Sequence, residues 1–214
     1  MTIQSSREFA ALARTAKVGN DGHRVGPSPV NAVIHYDIGA LIFSQGDRAG
    51  NIFTVTSGAV RLSHLLADGR RQVLAFCMPG EVFGFAQDGI YSFFAEAIED
   101  CSVVAHSPQE VRAADNLNAA LSSLFSAQSH MLVLGRQCAA ERLASFLLDM
   151  AKRQRGRRCV ELSMSRADIA DYLGLTVETV SRGLGKLQKD GVILLHSARC
   201  IEIREPQVLR DMVE

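Results

Sequence analysis

Between residues 165 and 191 the chain reads SRADIADYLGLTVETVSRGLGKLQKDG, an order of residues that few local folds tolerate. Ser165-Arg166-Ala167-Asp168 is a variant capping box: a hydroxyl to accept the first free amides of a helix and an acid three residues on to reach back. Ile169, Ala170 and Leu173 form the buried side of that helix, and Ala170 is small enough for a second helix to cross closely. Gly174 follows where a tight turn after a helix wants a left-handed residue. Thr176 then caps a second helix whose apolar side is Val177, Val180, Leu184 and Leu187. Two short helices joined by a glycine turn predict a helix-turn-helix; a helical hairpin without a reading role is the alternative. After Gly191, VILLHS and ARCIEIRE read as the two strands of a small wing, and Pro206 opens a short final helix, PQVLRDMV.

The second helix carries its polar residues away from the apolar side. The start of such a helix enters the major groove of DNA. Arg182 can bond guanine O6 and N7 bidentately, Glu178 can accept from a cytosine or adenine amino group, and Ser181 is short enough for a base edge or a phosphate. Thr176, Lys186 and Lys189 suit phosphates. Glu178 and Arg182, one turn apart, are also spaced for a surface ion pair and nothing more. Net charge over the chain is zero, which argues against a wholly basic nucleic-acid coat. Yet residues 1–150 hold 11 basic and 14 acidic side chains, and residues 151–214 hold 12 and 9. A basic end on an acidic body suits an anionic partner; a chance swing of six charges is the alternative.

Upstream the character is different. Residues 1–19 show a short amphipathic spacing, and NDGHRVGPSPV reads as a linker. From about 32, glycines punctuate short apolar pieces; NIFTVTSGAVRLSHLL alternates, and Ala67-Asp68-Gly69-Arg70 signals a hairpin. Many short strands with regular turns predict a β sandwich or barrel. Ser107-Pro108-Gln109-Glu110 then opens a helical region with no further proline and a single glycine, Gly135, up to about 154. Leu117, Leu121, Leu124, Gln128, Met131, Gly135 and Cys138 follow a 4,3 spacing that predicts a dimer seam; a helix packing on its own β domain is the alternative. Leu143, Phe146, Leu147 and Met150 are expected to pack under the last domain, and RQRGRR at 153–158 marks the joint.

Five cysteines, at 77, 101, 138, 159 and 200, are odd in number and widely spaced. They predict a reduced, cytosolic chain without zinc or an iron–sulfur cluster, and no cofactor is expected. Cys159 follows Arg157-Arg158, whose charge would favour a thiolate, so it is a candidate redox switch; a half-buried strand residue is the alternative. No two of the six histidines are two apart, which speaks against a cupin-type metal enzyme. No apolar run reaches the ~18 residues of a membrane span, and no secretory leader is expected.

Taken in order, the glycine-punctuated β region, the long helix and the winged helix-turn-helix resemble the CRP/FNR family of bacterial transcription regulators over residues 32 to 205. The pattern of Glu178, Ser181 and Arg182 is similar to the FNR and FixK branch. The resemblance implies an α+β fold. Residues 1–107 would form an N-terminal helix and a β-roll like a cyclic-nucleotide-binding jelly roll. Residues 108–154 would form the dimerisation helix and hinge, and 155–214 the winged helix-turn-helix. It implies a non-enzymatic, sequence-specific activator. As a homodimer this would bind double-stranded DNA at a TTGA–spacer–TCAA inverted repeat and recruit RNA polymerase. A redox- or ligand-gated sensor with conditional DNA binding is the rival. In the cyclic-AMP-binding branch an Arg-Ser pair clamps the cyclic phosphate. Here Gly80-Glu81 is present, but Tyr91-Ser92 stands in the place of Arg-Ser. A phosphate would lose its bidentate cation there, so cyclic nucleotide binding is not expected.

Overall fold

The computed structural model describes residues 33–86, 88–107, 113–154 and 159–214. The expected amphipathic piece at 1–19, the linker, the cap signature from Pro108 and residues 155–158 of the basic run lie outside them. The chain divides into two compact units between Phe125 and Ser126.

Among the described residues the first unit has eight strands: β1 (Val33–Tyr36), β2 (Leu41–Phe43), β3 (Ile52–Ser57), β4 (Val60–Leu65), β5 (Arg71–Cys77), β6 (Val82–Phe83), β7 (Phe94–Ala97) and β8 (Cys101–His106). They form two antiparallel four-stranded sheets, ordered β1-β8-β3-β6 and β2-β7-β4-β5. Residues from both sheets, among them Phe43, Phe53, Leu62, Phe83 and Val103, meet in one core. Strict alternation in β8, buried at Cys101, Val103 and Ala105, follows from the two-residue period of a strand with one face inward. The predicted hairpin at 67–70 joins β4 to β5, closed by the Leu66 amide donating to the Arg70 carbonyl at 2.8 Å. Gly58 turns β3 into β4 at φ +75°, and a Cβ there would lie 2.6 Å from that of Cys101. Arg61 on β4 and Glu96 on β7 stand opposite in register and are joined at 2.6 Å, both largely buried.

Helix α1 (Ala113–Leu134) carries the chain from one unit to the next. The second unit contains α2 (Ala139–Arg153), β9 (Cys159–Glu161), α3 (Arg166–Leu173), α4 (Val177–Lys189), β10 (Ile193–Leu195), β11 (Cys200–Ile203) and α5 (Pro206–Asp211). α2 buries Leu143, Phe146, Leu147 and Met150 as expected, against α4, α5 and β9. The wing sheet has three strands, ordered β10-β11-β9.

The helical region after residue 108 is interrupted. The Gly135 amide closes the last turn of α1 onto Met131, and Cys138 is extended at the N-cap of α2. Gly135 and Cys138 therefore lie in the joint, off the helix that carries the other five seam positions. The physical reason is local: glycine gives up more backbone freedom in a helix than any other non-proline residue. The turned chain is also held by Arg142, whose Nε donates to the Arg136 carbonyl at 2.9 Å.

Candidate nucleic-acid interface

The caps that define the two helices form as the residues require. The Ser165 hydroxyl accepts from the Asp168 amide, and the Asp168 carboxylate accepts from the Ser165 amide, closing the box. Gly174 adopts φ 62°, the left-handed conformation that lets α3 stop and the chain turn at once. The Thr176 hydroxyl accepts from the Thr179 amide at 3.2 Å and starts α4. Ile169, Ala170 and Leu173 of α3 are buried, as are Val180, Leu184 and Leu187 of α4.

Every polar residue named for reading or anchoring on α4 is exposed: Thr176, Glu178, Ser181, Arg182, Lys186 and Lys189. Glu178, Ser181, Arg182, Lys186 and Lys189 lie off the buried triplet, while Thr176 is the cap that starts the helix. The Glu178 carboxyl is held below the usual carboxylate range. Its own backbone amide at the start of the helix is the main cause, then the Thr176 hydroxyl, with the Arg182 charge a weaker pull. Glu178 thus leans on the helix N-terminus. Arg182 is exposed, and among the described residues its guanidinium has no hydrogen-bond or ion-pair partner.

Three features escaped the sequence reading. Val177, expected in the core, is 41% exposed at the start of α4. An apolar residue there offers a methyl surface of the kind that meets thymine methyls. Second, the carboxyl end of α3 is capped from outside. His130 on α1 bonds the Tyr172 carbonyl at 2.8 Å and stacks on its ring at 3.8 Å, and Arg142 Nη1 donates to the Leu173 carbonyl at 3.1 Å. These donors meet carbonyls at the end of α3, where intrahelical amides run out. No local pattern announces them, because their partners are 42 and 31 residues away. Third, Gly183 is a contact point: a Cβ there would lie 2.8 Å from Leu143 Cδ2, so α4 approaches α2 closely.

Cys159 corrects the reading of a fully reduced chain. It is joined to Cys200 by a disulfide, with Cα atoms 5.8 Å apart. The pair is 41 residues apart in sequence, and only the pairing of β9 with β11 brings it together. Cys159 also begins a strand and is half-buried, the alternative the sequence left open.

On α1, Leu117, Leu121, Leu124 and Met131 are exposed, Met131 at 69%. Phe125 and Leu132, seven residues apart and also exposed, widen this apolar stripe on one flank. In the β unit, Tyr91 points into the core and is 4% exposed. Its ring stacks on Phe43 at 3.7 Å and its hydroxyl donates to the Asn51 carbonyl at 2.7 Å. Burial is the main reason its hydroxyl titrates above the ordinary tyrosine range. A shallow cleft of about 230 Å³ nearby is lined by Ala49, Asn51, Ile52, Gly84, Phe85 and Ala86 among others, and none of these carries a charge.

Residues 141–212 match the Crp-like helix-turn-helix domain, and residues 33–115 match the cyclic nucleotide-binding domain. The nitrogen fixation regulation protein FixK of Rhizobium meliloti is 47% identical over 207 residues, covering 94% of this chain and 98% of that protein. The chain belongs to the FixK branch of the CRP/FNR regulators. FixK of Azorhizobium caulinodans is 43% identical, covering 79% of this chain and 74% of the relative. The solved structure of FixK2 from Bradyrhizobium japonicum superposes with a TM-score of 0.80 at 38% identity, covering 87% of this chain and 98% of that one. This FixK-type chain is a DNA-binding transcription regulator and not an enzyme. Dimers are the rule in the CRP family. Among the described residues, no helix is long and apolar enough to cross a membrane.

Proposed function

We propose that the protein is a transcription activator. It binds as a homodimer to an inverted repeat of the TTGA–spacer–TCAA form and recruits RNA polymerase, in the bacterial cytoplasm where that DNA lies. The observation that carries this reading is the outward face of α4, where Glu178, Ser181 and Arg182 stand exposed on a helix whose other side is buried. Arg182 fixes a guanine through two hydrogen bonds, Glu178 accepts from a base amino group, and Val177 contacts a thymine methyl. Thr176, Lys186 and Lys189 hold phosphates and set the register. The functional division is then a β-roll at 1–107, a dimerisation and hinge segment at 108–154, and a DNA-binding segment at 155–214.

Leu117, Leu121, Leu124, Gln128 and Met131 make the dimer seam, with Phe125 and Leu132 beside it. Gly135 and Cys138 belong to the hinge below. Two α4 helices related by a two-fold axis then meet two half-sites of an inverted repeat. Placing a carboxylate in that seam by Leu124→Glu buries an uncompensated charge unless the subunits separate. Sedimentation should show a monomer, and a mutant that remains a dimer removes α1 from the interface.

The β-roll acts without a cyclic nucleotide. Tyr91 supports this, because it fills the core with an aromatic ring where a phosphate needs a cation. The reading of DNA is tested by Arg182→Ala. Discrimination at one base pair of each half-site should fall by about 1–3 kcal/mol per contact. Gel shifts on single-base variants of the repeat measure this, and an unchanged preference means that α4 is not the reader. A second reading, in which DNA binding is conditional, is favoured by one observation, the bridge between Cys159 and Cys200.

A further inference from the structure

The Cys159–Cys200 bridge has a particular place in the fold. The chain between its ends contains α3, the glycine turn, α4 and β10, so the whole helix-turn-helix lies inside the loop it closes. Its two ends hold different things. β9 is anchored to the end of α2 by Gln154, whose side chain donates to the Glu161 carbonyl at 2.7 Å and accepts from the Glu161 amide at 2.8 Å. Cys200 closes the wing turn: its amide donates to the Ser197 hydroxyl at 3.0 Å, and its carbonyl accepts from the His196 amide at 3.0 Å. That turn presents Arg199, which is exposed, while its carbonyl accepts from the Leu162 amide at 2.7 Å. The bridge therefore ties the turn that carries a free-standing cation to the strand that follows the hinge. Both cysteines are half-buried, within reach of a small thiol or disulfide. By contrast Cys77 and Cys101 are buried.

We propose that Cys159 and Cys200 are a reversible dithiol–disulfide couple that pins and unpins the wing, so that DNA affinity follows the thiol–disulfide balance of the cell. This rests on the DNA-binding reading of α4 and the wing. A regulator meets its DNA in the thiol-reducing compartment, where disulfides are mostly transient and redox-sensing. The oxidant is a low-molecular-weight disulfide. One cysteine thiolate attacks a sulfur of it, forming a mixed disulfide and releasing one small thiolate. The second cysteine thiolate attacks the protein sulfur of that mixed disulfide, forming the Cys159–Cys200 bond and releasing the second small thiolate. The two cysteine protons end on the released thiolates, the protein loses two electrons and the small disulfide gains them. Two small thiols reverse the sequence. The oxidised form holds Arg199 at the phosphate backbone; the reduced form must order the wing turn on binding, which weakens the complex.

The test uses the full chain carrying Cys138→Ser, which removes an exposed thiol that can join two copies. It is equilibrated in buffers of reduced and oxidised glutathione, alkylated, and mapped by peptide mass. The expected result is one cross-link, Cys159 to Cys200, that disappears as the reduced fraction rises. Fluorescence anisotropy on an inverted repeat should then show the oxidised form binding about ten-fold tighter, and Cys159→Ser and Cys200→Ser should each hold the reduced affinity in every buffer. Closing a loop of this length should also raise the melting point of the oxidised form by about 10 °C. Free, alkylated Cys159 and Cys200 in the oxidising buffer overturn the proposal, as does a cross-linked form with the affinity of the reduced one. Because the cross-link is read by mass without DNA, failure of the couple is distinguished from failure of the operator assignment, which abolishes preference for the repeat over scrambled DNA in both redox forms.

Discussion

The β unit and the DNA-binding unit spend their polar residues in opposite ways. In the β unit the informative polar groups are turned inward and consumed: Arg61 is held by Glu96, and the Tyr91 hydroxyl by the Asn51 backbone. In the DNA-binding unit Ser181, Arg182, Lys186 and Lys189 of α4 are exposed, and Glu178 bonds only at the helix start. A fold that satisfies its polar groups internally gains stability and loses reach. One that leaves them exposed gains almost no stability from them, because solvent screens exposed charges.

The comparison breaks first, if it breaks, at Gly58. Alanine there must adopt a positive φ and set its Cβ against Cys101 and the Asp100 carbonyl. Strain and overpacking together should cost the β unit about 4 kcal/mol, read as a large drop in its melting transition. Glu96→Ala comes next. It takes the carboxylate from a buried guanidinium and should cost about 3 kcal/mol, again seen by thermal or denaturant unfolding. On the other side, Arg182→Ala should change unfolding stability by less than about 0.5 kcal/mol while relaxing sequence preference. A large loss of stability there would show that the residue is structural and that the contrast fails.

The smallest effect concerns pH. Glu178 has its folded carboxyl lowered, so its contribution is present above the ordinary carboxylate range and is lost only as pH falls through the lowered value. The group is fully exposed, so stability is insensitive to it. Base preference at the position proposed for Glu178 should stay flat from neutral pH down to about pH 5. Anisotropy titrations on paired operator variants would detect a change, and a loss near neutrality would show that another group controls that position.

Much of the second unit was legible because its signals are local. A cap needs a hydroxyl and an acid three residues apart, a helix stop needs a residue that tolerates positive φ, and an amphipathic helix shows its period within one window. These gave Ser165 with Asp168, Gly174, Thr176 and the buried side of α4, and hence the exposed side by difference. Val177 was misplaced because the first turn of a helix can obey the apolar period before it has anything to pack on. The run of good helix formers after 108 suggested one helix; the break falls at Gly135, the residue that gives up most backbone freedom in a helix, and Arg142 holds the turned chain through the Arg136 carbonyl.

From its sequence alone, this protein could be read as a glycine-punctuated β unit followed by a helical segment and a winged helix-turn-helix, with Arg182 and its neighbours on the open face. All of that depends on spacings of two to four residues, which backbone geometry converts directly into faces. What only the tertiary structure decided are the pairings across long stretches of chain: Arg61 with Glu96, His130 with Tyr172, Arg142 with the end of α3, and Cys159 with Cys200. Such contacts depend on strand register and on helix crossings, which the whole core fixes together. A cysteine 41 residues from its partner carries no mark of it in its own neighbourhood, and becomes one half of a pair only when β9 and β11 lie side by side.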